Sequence, residues 1–146
     1  MADFHWDVRV YYEDTDAGGI VFYANYLKFF ERARTEWLRA AGIGQEQLMR
    51  EEGRMFVVRS TALDFQRPAR LDDRLRISVV VEKLGRASVE FHQEARRIEM
   101  PDGVSSVSDV LCSGRIRVGC VEIATLRPGA IPSGITRRIT ARYANQ

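Results

Sequence analysis

From Tyr26 the chain repeats apolar side chains at three- and four-residue steps: Tyr26, Phe30, Ala33, Trp37 and Ala41. That spacing lays one apolar stripe along a helix and leaves Lys28, Glu31, Arg32, Glu36 and Arg39 on the other side. It predicts a helix from about Ala24 to Ala41, stopped at Gly42. A shorter helix is expected from Gln45 to Glu52. After Gly53 the period changes to two. Met55 to Phe65 is a mixed apolar run, and Pro68 just beyond it marks an edge or a bend. Leu75, Ile77, Val79 and Val81 then alternate with Arg76, Ser78, Val80 and Glu82. Ala87, Val89, Phe91 and Ala95 alternate with Ser88, Glu90, His92 and Glu94, after a hairpin turn at Gly85-Arg86. Pro101-Asp102-Gly103 is another turn signal.

A last strand is expected from Val107 to Val121, with Val110, Cys112, Gly114, Ile116, Val118 and Cys120 on one face. A first, short one is expected over Val8 to Tyr12. Residues 128–132 read as irregular, and the chain from about 133 as a mobile basic end. The order is strand, long helix, then four strands joined mostly by tight turns. This is not the alternation of a parallel sheet. It reads as α+β, an antiparallel sheet covering one helix. With 146 residues and no internal repeat or linker, the expectation is one domain spanning 1–146.

Composition narrows the function little. Hydrophobic content of 45% and charged content of 29% are those of an ordinary soluble protein. The net charge of +2 is too small to argue for nucleic acid, although arginine far outnumbers lysine. No run approaches the roughly 18 apolar residues of a membrane span, and the first residues lack a signal peptide's basic and apolar regions. The two cysteines sit eight positions apart on one predicted strand, about 26 Å, too far for a direct disulfide. Separate thiols fit a reducing compartment, so a cytoplasmic protein is expected. Both fall on the apolar face and read as inert core thiols. His5 and His92 are far apart and no zinc spacing appears, so no metal or other cofactor is expected.

The chemistry concentrates in Tyr12-Glu13-Asp14-Thr15-Asp16-Ala17-Gly18-Gly19-Ile20-Val21, just ahead of the long helix. Glycines let backbone turn tightly and approach a ligand closely. A helix start offers unpaired N–H groups and a positive dipole end. Acids, open amides and a tight turn together suit a polar carbonyl or an anion. The same carboxylates also suit a helix cap, which stabilises by about 1 kcal/mol, or an Asp-x-Asp magnesium site. Spacing alone leaves these three open.

This stretch, followed by Tyr23-Ala24-Asn25-Tyr26, resembles the signature of the 4-hydroxybenzoyl-CoA thioesterase family, within the hotdog fold. Phe30-Glu31-Arg32-Ala33-Arg34-Thr35-Glu36 resembles the branch of Tol–Pal-associated acyl-CoA thioesterases. The similarity runs from about Val8 to Val121. It implies a curved antiparallel sheet wrapped around one long central helix, and copies assembled as homodimers or homotetramers with active sites at the interface. Asp16 matches the catalytic carboxylate, acting as nucleophile or general base on a thioester carbonyl. The backbone N–H near Tyr23 would polarise that carbonyl, an arrangement that contributes about 3–4 kcal/mol to the barrier. Gly18 and Gly19 would allow close approach of the substrate. Arg86 falls where the founding enzyme has basic residues on the nucleotide, and Arg67 and Arg70 are further candidates by charge and position.

The resemblance therefore implies an acyl-CoA substrate, with an acyl carrier protein as a further partner and coenzyme A as part of the substrate. The Tol–Pal branch often carries histidine where this chain has Tyr23, whereas the hydroxybenzoyl enzyme has tyrosine. Aliphatic and aromatic acyl groups both stay open. The alternative in another class is a hotdog protein that binds acyl-CoA or an acyl carrier protein without efficient turnover.

Overall fold

The alternating half of the chain forms a five-stranded antiparallel sheet with strand order β1-β3-β4-β5-β2. The computed structural model describes residues 4–100 and 103–144. The strands are β1 (Phe4–Arg9), β2 (Arg54–Phe65), β3 (Arg74–Leu84), β4 (Ser88–Glu99) and β5 (Ser106–Glu122). Helices α1 (Tyr26–Ala40), α2 (Gln45–Glu52) and α3 (Ser133–Ala144) complete it. The Pro101-Asp102-Gly103 turn signal falls mostly on positions outside the described residues.

Helix α1 lies on the sheet as the hotdog arrangement requires. Its buried face is wider than the expected stripe, because Phe29, Arg34 and Leu38 join Tyr26, Phe30, Ala33 and Trp37. Trp37 meets Phe91 of β4 edge to face at 5.5 Å. Each large apolar side chain buried this way contributes about 1.5–3 kcal/mol. The helix ends in paired bonds from Gly42 N–H to the Arg39 carbonyl (2.9 Å) and Ile43 N–H to the Leu38 carbonyl (2.9 Å), the pattern of a Schellman stop. Helix and sheet approach closely at Gly114. A Cβ there would lie 2.7 Å from Leu63 Cδ2 and 2.9 Å from Phe30 Cε2.

Bulges bend the sheet around the helix. In the β4–β5 ladder Ala95 faces Cys112 while Arg96 faces Val110, so Leu111 is the extra residue. The successive residues Leu111 and Cys112 are consequently both buried. The freed Leu111 carbonyl accepts from Gln66 N–H at 2.8 Å and Arg67 N–H at 3.1 Å. The far end of β2 is thereby fastened to the sheet.

Two expectations are corrected. The first strand ends at Arg9, where pairing with Arg74 stops, and Tyr12–Asp14 turns away as a short 3-10 segment. Ser133–Ala144, expected as part of a mobile end, is a helix. Ile139 is fully buried in the core, the Arg142 guanidinium lies 5.6 Å over Phe4 and 5.9 Å over Trp37, and Tyr143 Oη donates to the Glu82 carbonyl at 3.0 Å. A basic composition concealed an apolar step of four, Ile135 to Ile139.

Gly114→Val should destabilise the fold by about 1–3 kcal/mol, because the added atoms meet α1 and β2 at once. At about 2–4 °C per kcal/mol for a domain of this size, thermal unfolding should fall by several degrees. An unchanged midpoint would show that the helix can lift from the sheet without cost.

Candidate active site

The acidic stretch is organised by Asp14, which is only 3% exposed. Its Oδ2 accepts from Tyr11 N–H at 2.8 Å and its Oδ1 from Asn25 Nδ2 at 2.7 Å. Its backbone carbonyl accepts from Phe22 N–H at 2.9 Å. One residue thus ties the end of the first strand to the entrance of α1. Both of its carboxylate oxygens thus accept from groups of the fold itself. No group of three or more His, Cys, Asp or Glu able to hold a metal occurs among the described residues.

Asp16 points the other way and is exposed. Its backbone closes a tight loop, with Asp16 N–H donating to the Ile20 carbonyl and Gly19 N–H to the Asp16 carbonyl, both at 3.0 Å. Gly18 N–H donates to Asp16 Oδ1 at 2.9 Å, which orients the carboxylate. Oδ2 has no protein donor among the described residues. Gly19 sits at φ +77°, in the left-handed region that favours glycine. Gly18 is tight as well, since a Cβ there would lie 3.3 Å from Asp16 Oδ1.

Beside this loop is a cleft of about 310 Å³ lined by Ile20, Val21, Tyr23, Tyr26, Phe65, Gln66, Arg67 and Pro68. Two sides of it are tied together through Ala69. Tyr26 Oη accepts from Ala69 N–H at 3.1 Å, while Val21 N–H donates to the Ala69 carbonyl at 2.8 Å. Burial raises the Tyr26 phenol above its ordinary pKa, so it stays a neutral hydroxyl in this role. Tyr23 opens the 3-10 segment Tyr23–Asn25 that leads into α1. Its N–H has no acceptor among the described residues, as the first donors of a helical segment do not. Its ring is exposed and meets Phe22 at a tilt, with centroids 4.7 Å apart, and Phe65 edge to face at 6.3 Å.

Tyr23 and Arg67 line the cleft, while Asp16, Gly18 and Gly19 stand outside its lining, on the loop that Asp16 N–H closes onto the carbonyl of the lining residue Ile20. Arg70 is close to it, since Ile20 and Arg70 form a β-bridge. Arg86 is not brought there. It is exposed at the β3–β4 turn, beyond the 11-residue β3 from Arg70, a strand about 36 Å long. Sequence reading missed Asn25 as the partner of Asp14 and Phe65 as a wall of the cleft. Asn25 stood inside the recognised motif and a buried amide facing a carboxylate is a readable pairing. Phe65 carried only the signal of an apolar run ending before a proline.

The cysteines stay out of the chemistry. Both are free and buried. Burial, and to a smaller extent Asp64, pushes the Cys112 thiol up to about 12. Cys120 is also raised by burial, with Arg54 opposing. Neither supplies a thiolate at neutral pH.

A sheet wrapped on one long helix, with a carboxylate loop and an open amide at that helix's start, defines a protein of the hotdog class. Comparison with known proteins carries this to a family. The thioesterase superfamily model matches residues 18–103. An acyl-CoA thioesterase, YbgC, of Haemophilus influenzae is 39% identical over 132 residues, covering 90% of each chain. The acyl-CoA thioester hydrolase YbgC of Escherichia coli O157:H7 is 41% identical over 132 residues, 90% of this chain and 92% of that one. A crystal structure of a probable thioesterase from Bartonella henselae aligns with a TM-score of 0.75 at 32% identity, covering 88% of this chain and 98% of that one. The chain belongs to the thioesterase superfamily.

Asp14→Asn should cost about 1–3 kcal/mol, since the new amide cannot accept from both Tyr11 N–H and Asn25 Nδ2. Turnover should fall as well, although Asp14 meets no substrate, because the Asp16 loop loses its anchor. Thermal unfolding and kcat measured on the same preparation check this. A variant as stable and active as wild type would remove Asp14 from that role.

Proposed function

We propose that this protein hydrolyses acyl-CoA thioesters, with Asp16 as the catalytic carboxylate. The observation that carries the reading is that one short stretch, from Asp16 to Tyr23, holds an exposed carboxylate with Oδ2 unpaired and an unpaired Tyr23 N–H, and lines an apolar cleft through Ile20, Val21 and Tyr23. The acyl group lies in the cleft against Phe65 and Tyr26, and its carbonyl oxygen takes the Tyr23 amide. Charge developing on that oxygen is stabilised by the amide and by the positive end of α1.

Two routes use the same carboxylate. As nucleophile, Asp16 Oδ2 bonds to the carbonyl carbon, the C–S bond breaks, the thiolate takes a proton from water, and a second water cleaves the anhydride. As general base, Asp16 takes a proton from water as that water adds to the carbon, and the departing thiolate then receives it. Both yield a free acid and coenzyme A without a redox partner. Arg67 and Arg70 stand where cleft meets solvent and suit the phosphates of the nucleotide. The same thioester on an acyl carrier protein is a second substrate form. The free buried thiols Cys112 and Cys120 accord with a cytoplasmic setting.

Assembly belongs to this reading. Strand β2 is 12 residues long and stands at the sheet's edge, bonded to β5 on one side only. Val58 and Phe65 on it are 50% and 51% exposed. An edge this long and apolar invites another strand. Antiparallel pairing of two β2 edges continues the sheet into a dimer and places the Phe65 end of one copy beside the Phe56 end of the other. Arg86 can serve only a nucleotide bound on another copy.

Asp16→Asn should lower kcat at least about 100-fold, read as thiol release from a panel of acyl-CoAs, with KM little changed. A folded Asp16→Asn protein with full turnover would sink the mechanism. Wild type that binds acyl-CoA but releases no thiol would make the protein a binder instead. Light scattering should give a mass at least twice that of one chain, and a monomer that is fully active would contradict the assembly.

A further inference from the structure

A second pocket, of about 120 Å³, lies where α1 faces β2, β4 and β5. Phe56, Val89, Phe91, Val118 and Ile139 make its walls apolar. Glu31, Thr35 and Gln45 also line it, and Glu31 is exposed at the lip with its Oε1 accepting from Thr35 Oγ1 at 3.3 Å. It is not an extension of the Asp16 cleft in the same chain. Tyr23 and Arg34 are eleven positions apart along the helical segment, about 16 Å at its rise per residue.

The polar group set into this apolar space is Arg34, which is 8% exposed. Its Nη1 donates to Gln93 Oε1 at 2.9 Å, and Gln93 Nε2 donates in turn to the Phe30 carbonyl at 3.0 Å. A guanidinium has five N–H donors. No other acceptor for them occurs among the described residues, and no carboxylate stands within ion-pair distance. Burial lowers its pKa to about 10, with Glu31 opposing, so it remains a cation at neutral pH. A buried cation held by one neutral amide is costly. An anion in the pocket offsets that cost and uses the spare donors in a two-pronged contact.

We propose that this pocket binds a small organic monocarboxylate, with its carboxylate on Arg34 and its apolar body against Phe91, Val89 and Val118. The volume is near that of an engineered cavity that accepts benzene, about 150 Å³, so the body holds about four to six non-hydrogen atoms. Glu31 at the lip disfavours a second negative charge. The carboxylate has two sources of the same chemistry: a free acid, or the far end of an acyl group whose thioester sits on a second copy.

The test is a titration of the intact protein with pentanoate and with its uncharged match, pentanamide, following the Arg34 Nε–H resonance by NMR. The expected result is a saturable shift with pentanoate and at least about tenfold weaker binding of pentanamide. Arg34→Gln should weaken pentanoate by a similar factor. Equal binding of acid and amide would overturn the proposal. So would a wild-type Arg34 resonance that pentanoate does not move, an outcome readable even where the variant fails to fold. Binding needs no turnover, so this test stands apart from the thioesterase reading. The sources separate in a hydrolysis arm that compares glutaryl-CoA with pentanoyl-CoA. A preference for glutaryl that Arg34→Gln loses assigns the carboxylate to the substrate, and pentanoate binding without that preference assigns it to a free acid.

Discussion

A buried carboxylate is tolerable only when its oxygens are supplied with donors, because removing the charge from water otherwise costs several kcal/mol. At Asp14 both oxygens are supplied, one by the backbone of Tyr11 and one by the side chain of Asn25. The donors come from opposite sides of the loop, so satisfying Asp14 fixes the loop. With Asp14 held inward, Asp16 two residues later is turned out, and Gly18 N–H sets the direction of its carboxylate. The same clamp holds the segment Phe22–Asn25 at the start of α1. The Tyr23 N–H there is left without an acceptor among the described residues.

The other side of the cleft depends on the sheet. The extra residue at Leu111 turns a carbonyl toward the end of β2, where Gln66 and Arg67 both bond to it. Ala69, two residues past Arg67, then bonds to Tyr26 of the helix and to Val21 of the acidic loop. A defect in one ladder thus carries Arg67 and Phe65 to the helix entrance. The site is built from a loop, but each strand of that loop is fastened to a rigid element, which is what positioning for catalysis requires.

The periodic elements were legible because one face of each is buried and the other solvated. Leu75, Ile77, Val79 and Val81 are all within 2% of full burial, and alternation reports that directly. Asp16, Gly18, Gly19 and Tyr23 were legible as a motif because they lie on one short stretch of chain shaped by local turns. What escaped the sequence depends on partners far along the chain. Gln93 sits at an inward position of β4 and is fully buried, which only the Phe30 carbonyl and Arg34 explain. Helix α3 looked like a basic tail because Ile139, which is fully buried, is hidden among arginines. Arg86 came only from the resemblance, and within one chain the length of β3 separates it from the cleft.

Arg34 resists a purely structural account. It stands within the buried face of α1, beside Phe30, Ala33, Trp37 and Leu38, where an apolar side chain would fill the adjacent pocket. Replacing buried charge by well-packed apolar groups is often neutral or stabilising by about 1–4 kcal/mol. Stability alone therefore favours an aliphatic residue here, with Gln93 exchanged to match. The chain instead keeps a cation, gives it one neutral partner, and leaves space in front of it. The start of α1 is furnished with a carboxylate and an amide for a carbonyl; three turns on, the helix is furnished with a cation and a void. One explanation covers charge, void and missing counter-ion together: the counter-ion is a ligand.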